Sequence, residues 1–189
     1  MILNIIGQIL WMISMNNVLI SLGSNLGNRE MNIQYCVDFF NSSKNISVIG
    51  ISSLYETSPM YNSNQKDFIN CVIEIETSLK PLQLLKHSQS IEKDMGRVRS
   101  LIRNQPRKID IDILTYNNEI VDDEKLKIPH PRISERKFVL NPLFELKGNI
   151  SIPGNVKKIE DLIKELDKNS DKIRQCKHKI NEKNLSYSG

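Results

Sequence analysis

The sequence predicts an α+β fold, an antiparallel sheet with helices packed on it, and three patterns indicate this. Segments of strand type, with buried or alternating apolar residues, recur at 18–22, 46–55, 68–77 and 107–114. Segments with apolar residues at helical spacing lie at 28–42 and 81–95. The order is therefore strand, helix, strand, strand, helix, strand. Because amphipathic helices need a sheet face to cover, this order favours a split β-α-β arrangement of ferredoxin-like type.

The bulk composition limits the class of protein. The chain has 189 residues, of which 39% are hydrophobic and 25% charged, as in an ordinary soluble domain. Its net charge of +4 favours anionic ligands without requiring nucleic acid. The three cysteines form no Cys-x-x-Cys pair, so neither a disulfide framework nor a zinc site is indicated. A reducing, cytoplasmic setting is expected.

Three regions are predicted along the chain. Residues 1–16 are apolar but lack the charged start and cleavage site of a signal peptide, and they are too short for a membrane span. We interpret them as an extension of unknown role or as a start assigned too far upstream. Residues 17–168 form the predicted single domain. Residues 169–189 are polar and basic, and we expect this C-terminal tail to fray.

The first predicted elements are a strand, a turn and a helix. The strand at 18–22 is an unbroken apolar run that leads into a glycine-flanked turn at 23–28. A turn before a helix can bind an anion, but a plain strand-to-helix turn is the favoured interpretation. The helix at 28–42 has one apolar stripe, which includes Ile33 and Phe40.

The next elements are two strands joined by a loop. The second strand, 46–55, alternates loosely, and 56–65 has the composition of a loop. The third strand, 68–77, is antiparallel to the second if that loop forms a long hairpin. Asn70 interrupts its apolar run. This amide is either an edge residue or a satisfied core amide, or it is a ligand contact at the base of the loop.

The second helix has clear boundaries. It begins at Pro81, since proline suits a first helical turn, and Gly96 ends it. Gln89 and Glu92 are three residues apart and share one face of this helix. Simple solvent exposure is the alternative interpretation for both side chains.

The segment 107–114, Arg-Lys-Ile-Asp-Ile-Asp-Ile-Leu, alternates apolar and acidic residues as a half-buried strand does. Asp110 and Asp112 therefore lie on one face, roughly 6.5–7 Å apart along the strand. Two such carboxylates repel each other unless a cation lies between them. Mg²⁺ typically takes one or two carboxylates together with substrate phosphates. A strand with one solvated face is the alternative.

A cationic loop precedes this strand. It has five positive charges and no acidic residue between positions 97 and 108, from Arg97, Arg99, Arg103, Arg107 and Lys108. Guanidinium groups bind phosphate oxygens in bidentate fashion. A carboxylate pair beside such a loop therefore suits a polyphosphate, although a run of charge is often only a solvated loop.

The C-terminal part is predicted as a turn at 117–118, a short return strand at 119–121 and an amphipathic helix at 157–168. His130 lies between two prolines, which leave it few conformations. Since basic residues follow it, His130 is a candidate phosphate contact. A lone histidine is more often structural.

Together these segments resemble the 6-hydroxymethyl-7,8-dihydropterin pyrophosphokinase family of folate biosynthesis. The specific part is Pro-Arg-Lys-Ile-Asp-Ile-Asp-Ile at 106–113. The resemblance covers about residues 17–145, and its other matching segments are 20–27, 55–57, 68–70, 96–99 and 128–130.

The resemblance implies a ferredoxin-like fold and the transfer of a whole diphosphate from ATP to the pterin hydroxymethyl group, leaving AMP. It implies a cytoplasmic, monomeric enzyme whose partners are ATP and the pterin, with no nucleic acid and no membrane. Asp110 and Asp112 would bind two Mg²⁺ ions, and Arg97 and Arg107 would be the catalytic arginines nearest the phosphates. The residues implied along the ATP site are Gln89, Glu92, Arg99, Arg103, Ile113, His130 and Arg136. Those implied in the pterin pocket are Thr57, Ser58, Met60, Phe68, Asn70 and Phe138.

Two positions depart from the family pattern. Asn104 and Gln105 stand where family members often have an aromatic residue in the catalytic loop. Phe68 stands in place of a frequent tyrosine of the pterin pocket. Both departures concern how the loop closes rather than which reaction is catalysed.

Two other functions remain as alternatives. A metal-dependent nucleotidyl transferase or cyclase can also have paired aspartates on a strand of an α+β sheet, and it would release pyrophosphate instead of AMP. An RNA-binding module of similar topology would need exposed aromatic residues on its central strands, and aromatics make up only 6% of this chain.

Overall fold

An antiparallel sheet organises the fold in a computed structural model that describes residues 15–60, 64–97, 105–167 and 173–181. Its six strands are β1 (Asn16–Ser24), β2 (Ile46–Ile51), β3 (Tyr55–Thr57), β4 (Phe68–Thr77), β5 (Asp110–Tyr116) and β8 (Ile173–Gln175). The strands pair in the order β5-β1-β4-β3-β8, and β2 also pairs with β4. This order confirms the predicted α+β class and its split β-α-β arrangement.

Two helices cover the first face of the sheet, α1 (Arg29–Ser42) and α2 (Pro81–Asp94). Because side chains alternate across a strand, one set of residues from β1 and β4 points to these helices. Ile20 and Ile73 are fully buried there against Phe40 of α1 and Leu84 of α2. This is the larger apolar cluster, and it follows the helical stripes predicted from the sequence.

The second face of the sheet packs against α3 (Lys137–Lys147) and α4 (Ile159–Leu166). Leu19, Val72 and Leu114 project from three strands into a second cluster with side chains of these helices. Helix α3 was not predicted, because its residues form a nearly continuous apolar run with Pro142 inside the helix. Burial on the sheet offsets the lost backbone hydrogen bond of that proline.

Two predicted strands differ in the structure. The single strand expected at 46–55 is divided into β2 and β3. The division lies at Ser52, whose hydroxyl accepts the Val72 N–H at 3.0 Å. The return strand expected at 119–121 is instead β6 (Val121–Asp122), which pairs with β7 (Lys127–Ile128) in a separate ribbon.

The expectation that the C-terminal tail frays is wrong for the described residues 173–181. Strand β8 pairs with β3, and Ile180 is buried in the larger apolar cluster. The polar composition concealed this segment because only a few of its side chains are buried. None of the helices in the described ranges is long and apolar enough to cross a membrane.

Candidate active site

Three neighbouring strands form the floor of the site on the second face of the sheet. Their apolar residues on this face contact α3 and α4, and their next residues on the same face are small or polar. On β1, Leu19 is followed by Ser21 and Gly23, while on β5 Leu114 is preceded by Asp112 and Asp110. In the strand register Ser21 is opposite Asp112 and Gly23 is opposite both Asp110 and Asn70. The core of this face therefore continues directly into a polar floor.

The first cavity above this floor contains all six residues predicted for the pterin pocket, together with both aspartates. These six residues are Thr57, Ser58, Met60, Phe68, Asn70 and Phe138. The lining also includes residues that sequence reasoning did not select, namely Ser21, Gly23, Pro59, Gln65 and Arg132. Small residues such as Ser21 and Gly23 gave no signal in the sequence, and Arg132 was noted there only as one of the basic residues that follow His130.

Asn70 has a fixed orientation in this cavity. The residue is 3% exposed, and its Nδ2 donates to Thr57 Oγ1 at 2.9 Å. Its Oδ1 lies against Gly23, where a Cβ atom would be only 2.9 Å away. The amide is therefore satisfied and lies at the base of the loop, while its contact with a ligand stays a prediction.

A second cavity adjoins the first along the edge strand β5. It is lined by Gln89, Glu92 and Arg97 and again by Asp110 and Asp112. The two aspartates therefore lie between the two cavities and line both of them. Gln89 and Glu92 share one face of α2, as their spacing predicts, and both line this cavity at the edge of the sheet.

Arginines contact both aspartate carboxylates. Asp110 pairs with Arg97 at 2.8 Å and with Arg107 at 3.1 Å. Asp112 pairs with Arg136 at 2.8 Å. Burial and the Asp112 charge raise the pKa of Asp110 above its ordinary value, against the effect of its arginines. The site therefore concentrates charge of both signs within a partly desolvated region.

Glu92 links α2 to the edge of the sheet. Its carboxylate accepts the backbone N–H of Ile111 at 3.0 Å and also pairs with Arg97. Burial raises the pKa of Glu92 to about 7. Glu92 thus satisfies the Ile111 N–H on the outer side of β5, where the described sheet has no further strand. Glu92 also holds Arg97 beside Asp110.

His130 approaches Asp112 from the segment before α3. The backbone N–H of Arg132 donates to His130 Nδ1 at 3.1 Å. In the neutral ring the proton is therefore on Nε2, which lies 3.8 Å from the Asp112 carboxylate. Burial lowers the pKa of His130, so the neutral ring is favoured.

Two arginines connect the carboxylates to the aromatic walls. The Arg107 guanidinium lies 5.6 Å from the centre of the Phe68 ring, and that of Arg136 lies 5.5 Å from the centre of Phe138. The Nε donors of both arginines are buried, and neither has a hydrogen-bond partner among the residues that the structure describes. Buried unpaired donors of positive groups are costly, so this arrangement favours an anionic ligand.

Asn25 holds the end of the cationic loop that leads into β5. Its Oδ1 accepts the Arg107 N–H at 2.8 Å, and its own N–H donates to the Arg107 carbonyl at 3.1 Å. Its Nδ2 donates to Gln65 at 2.8 Å. Sequence reasoning treated this position as part of a plain turn. Its signal was only a polar residue between two glycines.

Among the described site residues that were predicted, Ile113 and His130 are not in the lining of either cavity. Arg99 and Arg103 lie outside the described residues, as does Asn104. Ile113 is 4% exposed and its side chain packs in the larger apolar cluster. Any contact of Ile113 with a ligand would therefore come from its backbone.

The carboxylates fit a metal that takes most of its ligands from a substrate. In the described part of the chain, no group of three or more His, Cys, Asp or Glu residues could hold a metal ion. Asp110 and Asp112 line both cavities and together have four hard oxygen atoms, three of which contact arginines in this structure. Mg²⁺ accepts such a pair when phosphates and water complete its coordination.

Comparison with known proteins identifies relatives of this chain. A sequence model described as 7,8-dihydro-6-hydroxymethylpterin-pyrophosphokinase (HPPK) matches residues 19–148. The 2-amino-4-hydroxy-6-hydroxymethyldihydropteridine pyrophosphokinase of Bacillus subtilis is 44% identical over 133 residues, which are 70% of this chain and 79% of that protein. The enzyme of the same name from Haemophilus influenzae is 40% identical over 146 residues, 77% of this chain and 90% of that protein.

Other relatives are much longer. The chain is 49% identical over 138 residues to the folic acid synthesis protein fol1 of Pneumocystis carinii. The matched segment makes up 72% of this chain but only 18% of that protein. A crystal structure of Plasmodium falciparum HPPK-DHPS with pteroate superposes with a TM-score of 0.64 at 16% identity, covering 80% of this chain and 42% of that one. At this identity the likeness concerns the fold alone.

Proposed function

This chain belongs to the 7,8-dihydro-6-hydroxymethylpterin-pyrophosphokinase family, and on that premise we propose that it transfers diphosphate from ATP to the hydroxymethyl group of 6-hydroxymethyl-7,8-dihydropterin. The products are AMP and the pterin diphosphate, a step of folate biosynthesis. The observation that supports this assignment most is that Asp110 and Asp112 line two adjoining cavities. One cavity suits a flat polar ring and the other suits a nucleotide.

The pterin occupies the first cavity. Phe68 and Phe138 supply apolar faces for a flat ring, and Asn70 supplies an amide that can both donate and accept hydrogen bonds. Thr57 fixes that amide, while Ser58 and Met60 complete the wall. Phe68 offers no hydroxyl, so this wall contributes stacking rather than a further hydrogen bond.

ATP lies along the second cavity, with its phosphates toward the aspartates. Gln89 and Glu92 of α2 line this cavity, and Arg97 and Arg107 are the arginines placed to bind the transferred diphosphate. His130 and Arg136 approach from the opposite side of Asp112. Each guanidinium now paired with a carboxylate can pair instead with a phosphate oxygen. Arg99 and Arg103 remain predicted members of this site.

Asp110 and Asp112 are the residues that would hold Mg²⁺, with two ions expected from the family. When bound, the metal would neutralise phosphate charge and help align the reacting oxygens. The protein residues position the substrates and bind the charge that moves during transfer, which is the main requirement of phosphoryl-type reactions. The pterin hydroxyl oxygen bonds to the β-phosphorus of ATP. The bond from that phosphorus to the bridging oxygen of AMP breaks, and the hydroxyl proton goes to solvent.

A product assay tests this function directly. The chain is incubated with ATP, Mg²⁺ and 6-hydroxymethyl-7,8-dihydropterin, and the nucleotide products are separated. We expect AMP to form only when the pterin is present. Pyrophosphate release without AMP would refute the assignment and favour a nucleotidyl transferase or cyclase. Calorimetry should also show that a non-hydrolysable ATP analogue with Mg²⁺ tightens binding of a pterin analogue.

A further inference from the structure

The last described part of the chain lies beyond the segment that matches the family. The match ends at residue 148, whereas the structure continues through α4 to residue 181. We call residues 173–181 the C-terminal strap. It begins with β8 and then crosses the first face of the sheet toward α1.

The strap completes the sheet beside the strand that leads into the pterin cavity. Strand β8 pairs antiparallel with β3, with Thr57 opposite Ile173 and Glu56 opposite Arg174. The Cys176 N–H donates to the Leu54 carbonyl at 2.7 Å and extends this pairing. Strand β3 has only three residues, so without the strap it would be a short, open edge.

The far end of the strap is fastened to the core. Ile180 is 7% exposed and belongs to the larger apolar cluster. The Asn181 N–H donates to the Gln34 side chain of α1 at 2.7 Å. The strap therefore has a fixed point on each side, one at the edge of the sheet and one at a helix.

Ile173 lies on the same face of the sheet as the pterin cavity. Side chains alternate along a strand, so Ile173 and its partner Thr57 point to one side and Arg174 points to the other. A small cavity is lined by Ile173 together with Ser58, Met60 and Phe138. These last three residues also line the first cavity. Ile173 thus lies behind the wall that faces the pterin.

We propose that the C-terminal strap positions the 58–60 wall of the pterin cavity, with Ile173 as a positioning residue for that substrate. This inference rests on the proposed function, because it assumes that the first cavity binds the pterin. The strap augments the sheet within one chain, as an added strand does between chains. Backbone pairing holds the strap in register, and the Ile173 side chain supports Met60 and Phe138 from behind.

The test compares the full-length chain with three variants. Ile173→Ala removes the support, Ile173→Val keeps a branched apolar side chain, and Gln175→Ala alters the same face two register pairs further from the wall. AMP formation is measured with each substrate varied, and thermal unfolding is recorded for every variant. Ile173→Ala should raise the KM for pterin about fivefold while kcat and the KM for ATP stay within about twofold. Ile173→Val and Gln175→Ala should stay within about twofold of the wild type.

Several results would overturn the strap proposal. These are an unchanged pterin KM in Ile173→Ala, an equal rise of both KM values, an equal effect in Gln175→Ala, or a lower melting temperature with no change in pterin KM. The wild-type assay separates this proposal from the one on which it rests. A wild type that forms no AMP refutes the proposed function, whereas an active wild type with an unaffected Ile173→Ala variant refutes only the role of the strap.

Discussion

Gly23 is the point at which β1 passes under the amide that we assign to pterin recognition. A Cβ atom at this position would lie 2.9 Å from Asn70 Oδ1 and 3.7 Å from the Phe68 ring. The first distance is shorter than a normal van der Waals contact, so Asn70 must move. Because Asn70 is buried and its Nδ2 bonds to Thr57 at 2.9 Å, a shift of its side chain strains or breaks that bond.

The expected cost of Gly23→Ala follows from this geometry. A typical hydrogen bond contributes about 1 kcal/mol net, and a buried polar group left without its partner costs ~1–3 kcal/mol. We therefore expect the free energy of unfolding to fall by about 1–2 kcal/mol. A displaced amide should weaken pterin binding about tenfold, which corresponds to 1.4 kcal/mol.

Gly50→Ala is the matched control. Gly50 is also a strand glycine opposite β4, and its added Cβ would meet Leu146 at 3.2 Å on the α3 side, away from both cavities. Urea unfolding and steady-state kinetics with varied pterin should show a higher pterin KM for Gly23→Ala alone. An unchanged pterin KM in Gly23→Ala, or an equal rise in both variants, would show that the position of Asn70 does not control pterin binding.

Three further changes test other parts of the site and of the fold. Asp112→Asn should lower kcat at least about a hundredfold, since it removes the negative charge of a metal ligand. Circular dichroism should show an intact fold. Near-normal turnover would mean that Asp112 does not belong to the metal site. Arg107→Ala should lower kcat by about a thousandfold, as the loss of a phosphate-binding arginine does in other phosphoryl-transfer enzymes. Calorimetry should show a much smaller change in pterin affinity. A large loss of pterin affinity with little change in kcat would assign Arg107 to pterin binding instead. Arg174 and Arg29 lower the pKa of Glu56 below its ordinary 4.5, so this carboxylate stabilises the folded state above that pH and the stabilisation is lost as the pH falls. Glu56→Gln should therefore reduce stability to urea at pH 7 and have little effect near pH 3, and equal effects at both values would contradict the pKa shift.

Much of the fold could be predicted because local patterns agreed with the final packing. The alternation of Ile and Asp at 109–113 predicted both the direction of the carboxylates and the buried side of β5, and the structure has both. Helix α3 was missed because burial on a sheet, rather than its own periodicity, makes that helix favourable. Strand β8 was missed because pairing with β3 uses backbone atoms and needs few apolar side chains.

The candidate site was predictable where its chemistry leaves a trace in residue type. Paired aspartates, clustered arginines and a lone amide in a strand are unusual enough to notice. The roles of Gly23 and Asn25 were not visible, because one depends on a close approach between strands and the other on backbone hydrogen bonds across 82 positions. Contacts of this kind arise only when distant segments meet.

The two faces of the sheet offer very different opportunities for engineering. Side chains between the sheet and α1 can be exchanged for better-packing ones with little consequence for turnover, since no residue of α1 lines either of the two cavities. On the opposite side, Leu19, Val72 and Leu114 share their strands with Ser21, Asn70 and Asp112. A variant designed there for heat resistance would shift the groups that hold substrate, so thermostability should be sought on the first face.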